Sequence, residues 1–168
     1  MLASTPLQSH FDYVCNFWYR DLPVYIKNKV QSAQNKIIRF VCNYHSRHHL
    51  VVKDFEKVGL LDVNLRVDYI TLCHMFNVFH DCGPSYMLDN FDRPCNVRHT
   101  RCNSDFIIPQ VKTQGKKTFK YNGSKLWNTL PSTIKNVNEK AAFKSNVKVL
   151  LFDKMKMKND EETEFYYY

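Results

Sequence analysis

The chain has 168 residues, of which 44% are hydrophobic and 14% aromatic, with only four Gly and six Pro. This composition suits one folded domain, or slightly more, and excludes a disordered or low-complexity chain. The formal net charge is +8, and residues 1–152 alone carry 21 basic and 11 acidic residues, a net +10. Such an excess favours a phosphate-bearing partner, with nucleic acid ahead of an acidic membrane surface.

The six Cys residues could form three disulfides in a secreted protein, but the N-terminal segment has no basic stretch followed by an apolar one. No apolar run approaches the roughly 20 residues of a membrane span. We therefore expect an intracellular location, cytoplasmic or nuclear, and no membrane partner. Free and buried thiols are then expected at Cys15, Cys42 and Cys73, which lie within apolar helical patterns.

The first half of the chain predicts helices. After a helix over residues 7–19, a central amphipathic helix is predicted over residues 21–44, with Pro23 at its start. One stripe of this helix is apolar and is expected to face the core: Ile26, Val30, Ala33, Ile37, Val41 and Tyr44. The opposite face carries Asn28, Ser32, Asn35 and Arg39, and the flanks carry Lys27, Lys29 and Lys36.

Two further helices follow. The first covers residues 51–58 and should end at Gly59. The second covers residues 63–80 and is apolar on more than one side, so we expect it to be the most deeply buried helix. Gly83 and Pro84 end it, and a short helix is predicted from there to Phe91.

Residues 92–104 predict a basic loop. Zinc ligand types occur around it at Cys82, Cys95, His99 and Cys102, but their spacing matches no established zinc finger. The three His residues within 45–49 likewise favour a plain polar loop. A zinc-stabilised domain is therefore the weakest of the functions considered, and we predict no metal site.

The last third predicts mixed local structure. Residues 105–109 and 117–121 favour a small β-hairpin near residues 105–121, followed by a turn at Asn122-Gly123. A brief helix over residues 125–130, capped by Ser124, precedes a final helix over residues 139–157. In the final helix Phe143, Val147, Leu150 and Leu151 are predicted to face inward and Lys140, Lys144 and Lys148 outward.

The predicted fold class is mainly α, an irregular helical bundle with that small hairpin. In chain order we expect a helical segment over residues 1–91, the basic loop over 92–104, the hairpin and C-terminal helices over 105–157, and a flexible tail over 158–168. No catalytic constellation is recognisable: a phosphate-binding glycine loop, a nucleophile elbow and a metalloprotease motif are all missing from the sequence. We therefore predict no catalytic residue and no cofactor.

Several blocks resemble the region that follows the catalytic palm in reverse transcriptases of non-LTR retrotransposons, the LINE-like and jockey-like elements. The most specific are Gln34-Asn35-Lys36-x-x-Arg39 and Leu126-Trp127-Asn128-x-Leu130-Pro131. The blocks cover roughly residues 7–152 and occur in the family's order: residues 9–15 with Trp18-Tyr19, 30–39, Leu60-Leu61 with Val63 and Arg66-Val67, 83–87, 99–101 and 118–131.

The resemblance implies a helical, thumb-side segment that helps to hold template and primer while an upstream palm performs DNA synthesis. The paired Asp residues of the palm are absent from this sequence, so the family's RNA-directed DNA polymerase activity does not carry over to this chain. The resemblance therefore implies a catalytically inactive fragment whose partners are an RNA or DNA backbone and, in a longer protein, the palm.

Cations on helix faces and loops are the residues that would contact phosphate without reading bases. The candidates are Lys27, Lys29, Lys36, Arg39, Arg98, Arg101, Lys116 and Lys117. Stacking on bases is conceivable for Trp18, Tyr19 and Trp127, although Leu126 and Leu130 favour a core position for Trp127. The alternative function is a helical protein-interaction module with no nucleic-acid role, in which Ile37 rather than the lysines would mediate binding.

Overall fold

The computed structural model of the chain describes residues 9, 11–13, 15–94 and 104–164, with side chains described as far as residue 158. Every regular element in these ranges is helical, which confirms the mainly α fold. The α-helices in these ranges are α1 (Cys15–Trp18), α2 (Val24–Val41), α3 (Val52–Val58), α4 (Val63–Phe79), α5 (Ser85–Leu88), α6 (Phe119–Asn128), α7 (Ser132–Lys135) and α8 (Lys140–Glu164). Short 3₁₀ turns occupy Tyr19–Asp21 and Gly115–Lys117.

The chain divides into two compact units. One unit combines residues 1–69 with residues 148–168, and the other consists of residues 70–147. The boundaries fall within α4 and α8, so each of these two helices contributes residues to both units.

The unit of residues 1–69 and 148–168 has a core of mainly aliphatic side chains with Phe55 among them. Ile38 of α2 packs there with Val52 and Phe55 of α3 and Met155 of α8. Gly59 ends α3 as predicted: its φ of 75° lies in the left-handed region that favours glycine. The amide of Leu60 then returns to the carbonyl of Phe55 at 3.0 Å, which fixes the path from α3 towards α4.

Helix α2 is rotated relative to the sequence-based prediction. Its buried residues are Gln34 and Ile38, whereas Ala33 and Val41 of the predicted inward stripe are exposed. The buried face lies about a quarter turn away from that stripe, at about 100° per residue. The predicted inward stripe is therefore wrong at Ala33 and Val41, and its other four members are half-buried.

Hydrogen bonds explain this rotation. The side-chain amide of Gln34 donates to the carbonyl of Leu61 at 2.8 Å, and Gln31 Oε1 accepts the amide of Val63 at 3.0 Å. Both partners lie at the start of α4, where backbone groups have no partner within the helix. Gln31 and Gln34 must therefore face inward. The predicted apolar stripe consequently lies at the edge of the buried face and not at its centre.

The unit of residues 70–147 has an aromatic core. Trp127 of α6 is fully buried, and its ring centroid lies 4.9 Å from that of Phe79 and 5.7 Å from that of Phe143. Phe143 also packs on Phe76 at 4.5 Å, and Phe106 meets Trp127 edge to face at 6.2 Å. Trp127 therefore occupies the core position that its neighbours in the sequence favoured.

The predicted β-hairpin near residues 105–121 is wrong, because no strand forms in residues 104–121. The side chain of Asn128 forms hydrogen bonds with the backbone of Phe106 in place of a neighbouring strand. Its Oδ1 accepts the amide of Phe106 at 3.2 Å, and its Nδ2 donates to the carbonyl of Phe106 at 2.8 Å. Residues from Phe119 onward form α6 instead of a strand.

The predicted turn at Asn122-Gly123 is also wrong, since both residues lie inside α6. The helix begins earlier than expected because Thr118, rather than Ser124, caps it: Thr118 Oγ1 accepts the amide of Tyr121. Gly123 is needed for packing, because a Cβ atom there would lie 2.6 Å from Sδ of Met75.

Helices α4 and α8 bury part of their predicted inward faces, although Leu150 of α8 is half-buried, as is Lys148, which was predicted to face outward. Val67, Leu72 and Val78 place buried side chains around more than one side of α4, and Phe143, Val147 and Leu151 are buried on α8. Helix α8 ends at Glu164, beyond the predicted end near Met157.

Within the described ranges Cys15, Cys42, Cys73 and Cys82 form no disulfide. Of the three cysteines predicted to be buried, only Cys15 is buried, and Cys42 and Cys73 are half-buried. Cys15 is completely buried, and burial raises the pKa of its thiol to about 11. Its thiol therefore stays protonated at neutral pH. Cys95 and Cys102 lie outside the described residues.

Candidate nucleic-acid interface

The outward face of α2 combines two cations with two aromatic rings. Tyr25, Lys29, Lys36 and Phe40 are all exposed and follow one another at spacings of four, seven and four residues. These spacings place the four side chains on one side of the helix. We refer to Tyr25, Lys29, Lys36 and Phe40 as the α2 face.

The α2 face points outward because the opposite side of the helix is held in place. Ile38 packs in the core and Gln34 is hydrogen-bonded to Leu61. The two rings of the α2 face consequently remain accessible, with Tyr25 61% and Phe40 78% exposed. Singly exposed rings are common on protein surfaces, and what distinguishes these two is that they share one side of a helix with two exposed cations.

The geometry of the α2 face is extended. Lys29 and Lys36 stand two helical turns apart, about 10 Å along the axis, and Tyr25 and Phe40 are about 22 Å apart. The ammonium of Lys29 lies 5.7 Å from the ring centroid of Tyr25, a cation–π contact. The cations are therefore spaced along a line that has an aromatic ring at each end.

The charge of α2 has a single sign. Its 18 residues include Lys27, Lys29, Lys36 and Arg39 but no Asp or Glu. The positive charge on this helix is therefore not neutralised by an acid within the helix, and an anion approaching the α2 face meets an attractive potential.

The remaining two cations of α2 are engaged in structural contacts. Lys27 is half-buried, and its Nζ donates to the carbonyl of Arg20 at 3.2 Å and lies 5.4 Å from the ring centroid of Tyr19. Arg39 is half-buried and donates from Nε to the carbonyl of His48 at 2.9 Å. Of the four predicted cations of α2, Lys29 and Lys36 are therefore exposed on the α2 face, whereas Lys27 and Arg39 bond to backbone carbonyls.

The other predicted contact residues are not on α2. Lys116 is exposed and Lys117 half-buried, both in the 3₁₀ turn of the unit of residues 70–147. Arg98 and Arg101 lie outside the described residues. Of the aromatic candidates, Trp127 and Tyr19 are buried, and Trp18 is 38% exposed.

A hydrogen-bonded cluster follows the C-terminal end of α2. The hydroxyl of Tyr44 donates to Oδ1 of Asp54 at 2.8 Å, and the amide of Val51 donates to Oδ2 of the same carboxylate at 3.0 Å. The Val51 bond is the main reason that the pKa of Asp54 is lowered, and the bond to Asp54 raises the pKa of the Tyr44 hydroxyl. The His48 ring packs on Tyr44 at 4.1 Å. This cluster ties the loop after α2 to the start of α3.

No family model, curated protein or solved structure matches the chain. The α2 face must therefore be interpreted from its own residues.

The described part of the chain shows neither a metal site nor a membrane-spanning helix. No group of three or more His, Cys, Asp or Glu side chains in these ranges is arranged to hold a metal ion. No helix in these ranges has the length and apolar character needed to cross a bilayer.

The sequence-based prediction found the two lysines of this face but missed its two rings. Tyr25 and Phe40 were not assigned to any face, although each lies four residues from a lysine, Tyr25 before Lys29 and Phe40 after Lys36. That spacing was the available signal. The predicted orientation of the helix conceals this signal, because it turns Ala33 and Val41 inward in place of Gln34 and Ile38.

Proposed function

We propose that the chain is a catalytically inactive segment of a retrotransposon-type RNA-directed DNA polymerase that binds the backbone of nucleic acid without sequence preference, through the α2 face. In this proposal Lys29 and Lys36 bind phosphates and release counterions from the nucleic acid. No base is read by hydrogen bonding, and no chemical step is assigned to the chain.

The family named in this proposal rests on the resemblance of the sequence blocks over residues 7–152. The observation that carries the nucleic-acid binding is the α2 face itself. Two exposed lysines about 10 Å apart are flanked by exposed rings on a helix that carries no acidic residue. Each strand of a duplex carries one phosphate per about 3.4 Å of helix axis, so two lysines about 10 Å apart can contact different phosphates of one strand. The excess of positive charge over residues 1–152 supports the same class of partner.

A titration at several salt concentrations tests the proposal. Fluorescence anisotropy with a labelled 20-nucleotide strand and a labelled RNA–DNA hybrid should show affinity that falls steeply between about 50 and 200 mM salt. The double substitution Lys29→Gln/Lys36→Gln should weaken binding and reduce the slope of log K against log salt by roughly 1.4 to 1.8, because two phosphate contacts are lost.

The matched control is Lys125→Gln/Lys144→Gln, which removes the same charge from two exposed positions of α6 and α8. This control should leave the salt slope unchanged. If both double variants weaken binding equally, only the total charge matters and the assignment to the α2 face is wrong. Affinity that does not depend on salt would contradict the electrostatic proposal altogether.

A helical protein-interaction module is the second candidate, because Phe40 and Val41 expose apolar surface at the end of α2. A protein partner that docks on this surface should still bind the Lys29→Gln/Lys36→Gln variant and should lose affinity when Phe40 is replaced by Ala. Nucleic-acid binding that depends on the two lysines would instead favour the first candidate.

A further inference from the structure

We infer that the α2 face is a single-strand site, in which Tyr25 and Phe40 each stack on a base while Lys29 and Lys36 hold the phosphates between them. This inference rests on the proposed function and adds the form of nucleic acid that the site selects. It also assigns a role to the two exposed rings, which phosphate binding alone leaves unexplained.

Both rings have surface available for stacking. Phe40 is 78% exposed, and no other described ring packs on it. Tyr25 is 61% exposed and has the Lys29 ammonium 5.7 Å from its ring centroid. A base that stacks on Tyr25 would therefore have a cation close to its own phosphate. Exposed aromatic rings beside cations are the combination by which proteins bind single strands without sequence preference.

A duplex cannot use the two rings in this way. Its bases are already stacked on one another and paired, so a side chain stacks on a base only after the duplex has been unstacked locally. A duplex on the α2 face would therefore contact Lys29 and Lys36 alone. A single strand would contact the lysines and both rings, and the rings consequently determine the preference between the two forms.

The length of the α2 face sets the size of the site. Tyr25 and Phe40 are separated by 15 residues of helix, about 22 Å. A stacked strand rises about 3.4 Å per nucleotide, so a strand that reaches both rings needs about six or seven nucleotides, and fewer when it is more extended. This size lies within the range of about 4 to 16 nucleotides found for single-strand sites.

The experiment compares Tyr25→Leu/Phe40→Leu with the unchanged full-length chain, using labelled dT8 and a 12-base-pair DNA hairpin as probes. Leucine keeps apolar bulk and is a good helix former, so α2 should remain folded, as circular dichroism would verify. Affinity for dT8 should fall about tenfold, since stacking is lost, while affinity for the hairpin should stay within about twofold. The matched control is Tyr86→Leu, which removes a ring that is 68% exposed on α5.

A length series sharpens the test. Affinity for dT4, dT6, dT8 and dT12 should rise steeply up to about six or seven nucleotides and only slightly beyond, because longer strands add registers but no further contacts. In Tyr25→Leu/Phe40→Leu this steep rise should disappear.

The outcomes separate the two proposals. If Tyr25→Leu/Phe40→Leu binds dT8 as tightly as the unchanged chain while Lys29→Gln/Lys36→Gln binds it weakly, the single-strand site is refuted and backbone binding stands. If neither variant changes binding of dT8 or the hairpin, both proposals are refuted. Binding of an acidic amphipathic peptide that depends on Phe40, with no binding of either oligonucleotide, would overturn both in favour of a protein partner.

Discussion

Different forces stabilise the inward side of α2 and the aromatic core of residues 70–147. Helix α2 is oriented by two side-chain hydrogen bonds, in which Gln34 donates to the carbonyl of Leu61 and Gln31 accepts from the amide of Val63, with Ile38 as its one fully buried apolar side chain. The aromatic core is built from rings such as Trp127 and Phe143, which gain stability from buried area and ring contacts.

This difference matters for the candidate site. Hydrogen bonds are directional, so two amides fix the rotation of α2 about its axis, whereas ring packing depends mainly on the area removed from water. A helix oriented by its polar side chains can leave apolar and aromatic residues on its outer face. The exposure of Tyr25 and Phe40 follows from the position of Gln34.

The largest effect is expected in the aromatic core. Trp127→Ala should lower the free energy of unfolding by about 4 kcal/mol, because it leaves a large cavity beside Phe79, Phe143 and Phe106. Chemical denaturation followed by circular dichroism measures this change. Tyr86→Ala, at a 68% exposed ring, is the control and should stay within about 0.5 kcal/mol.

A smaller loss is expected on the inward side of α2. Gln34→Ala removes the donor to the carbonyl of Leu61 and leaves that buried acceptor unsatisfied, which should lower the free energy of unfolding by about 2 kcal/mol. Ser32→Ala, at an exposed position of the same helix, is the control. Equal effects of the two substitutions, measured by urea denaturation, would show that the amide does not orient α2.

Gly123→Ala tests how closely the aromatic core is packed. In an ordinary helix this change stabilises by about 1 kcal/mol, but here the added Cβ would meet the fully buried Met75. Overpacking should reverse the sign and give a net loss of about 1 kcal/mol. Thermal denaturation measures the change, and the loss in Gly123→Ala/Met75→Ala should be smaller than the sum of the two single losses. A net gain of stability in Gly123→Ala would show that the Met75 side chain moves aside at little cost in free energy.

An effect as small as that of Gly123→Ala concerns the cluster after α2, and it depends on pH. The pKa of Asp54 is lowered in the folded chain, so its ionised form stabilises the fold. This contribution is complete above the ordinary Asp value of about 3.9 and is lost as the pH falls through the lowered folded pKa. Asp54→Asn should therefore lose about 1 kcal/mol at pH 7 and much less at pH 2, measured from urea midpoints.

A control for that prediction is Asp153→Asn, at an exposed position of α8. It removes one negative charge without removing the hydrogen bond from Val51 and should change stability at pH 7 by less than about 0.5 kcal/mol. If Asp54→Asn loses as much stability at pH 2 as at pH 7, the bond to Val51 does not act through the ionised carboxylate.

The sequence by itself determined the helical class, the end of α3 at Gly59 and the buried positions Phe143 and Val147 of α8. These features depend on local properties: the recurrence of apolar residues every three or four positions and the freedom of glycine to adopt a positive φ. The pair Lys29 and Lys36 was found in the same way, as exposed cations at a helical spacing.

Only the tertiary structure decided the rotation of α2, the lack of strands in residues 104–121 and the place of Asn122-Gly123 inside α6. The first two depend on partners that are distant in the sequence, whereas α6 begins at a local cap, Thr118, and only its packing depends on a distant residue. Gln34 bonds to Leu61 across 27 residues, Asn128 holds Phe106 across 22 residues, and Gly123 lies against Met75. Local periodicity contains no information about such partners, because a directional hydrogen bond or a close contact is set by where two segments meet. The exposure of the two rings of the α2 face could be recognised only from the structure, because the hydrogen bond between Gln34 and Leu61 determines which side of the helix faces outward.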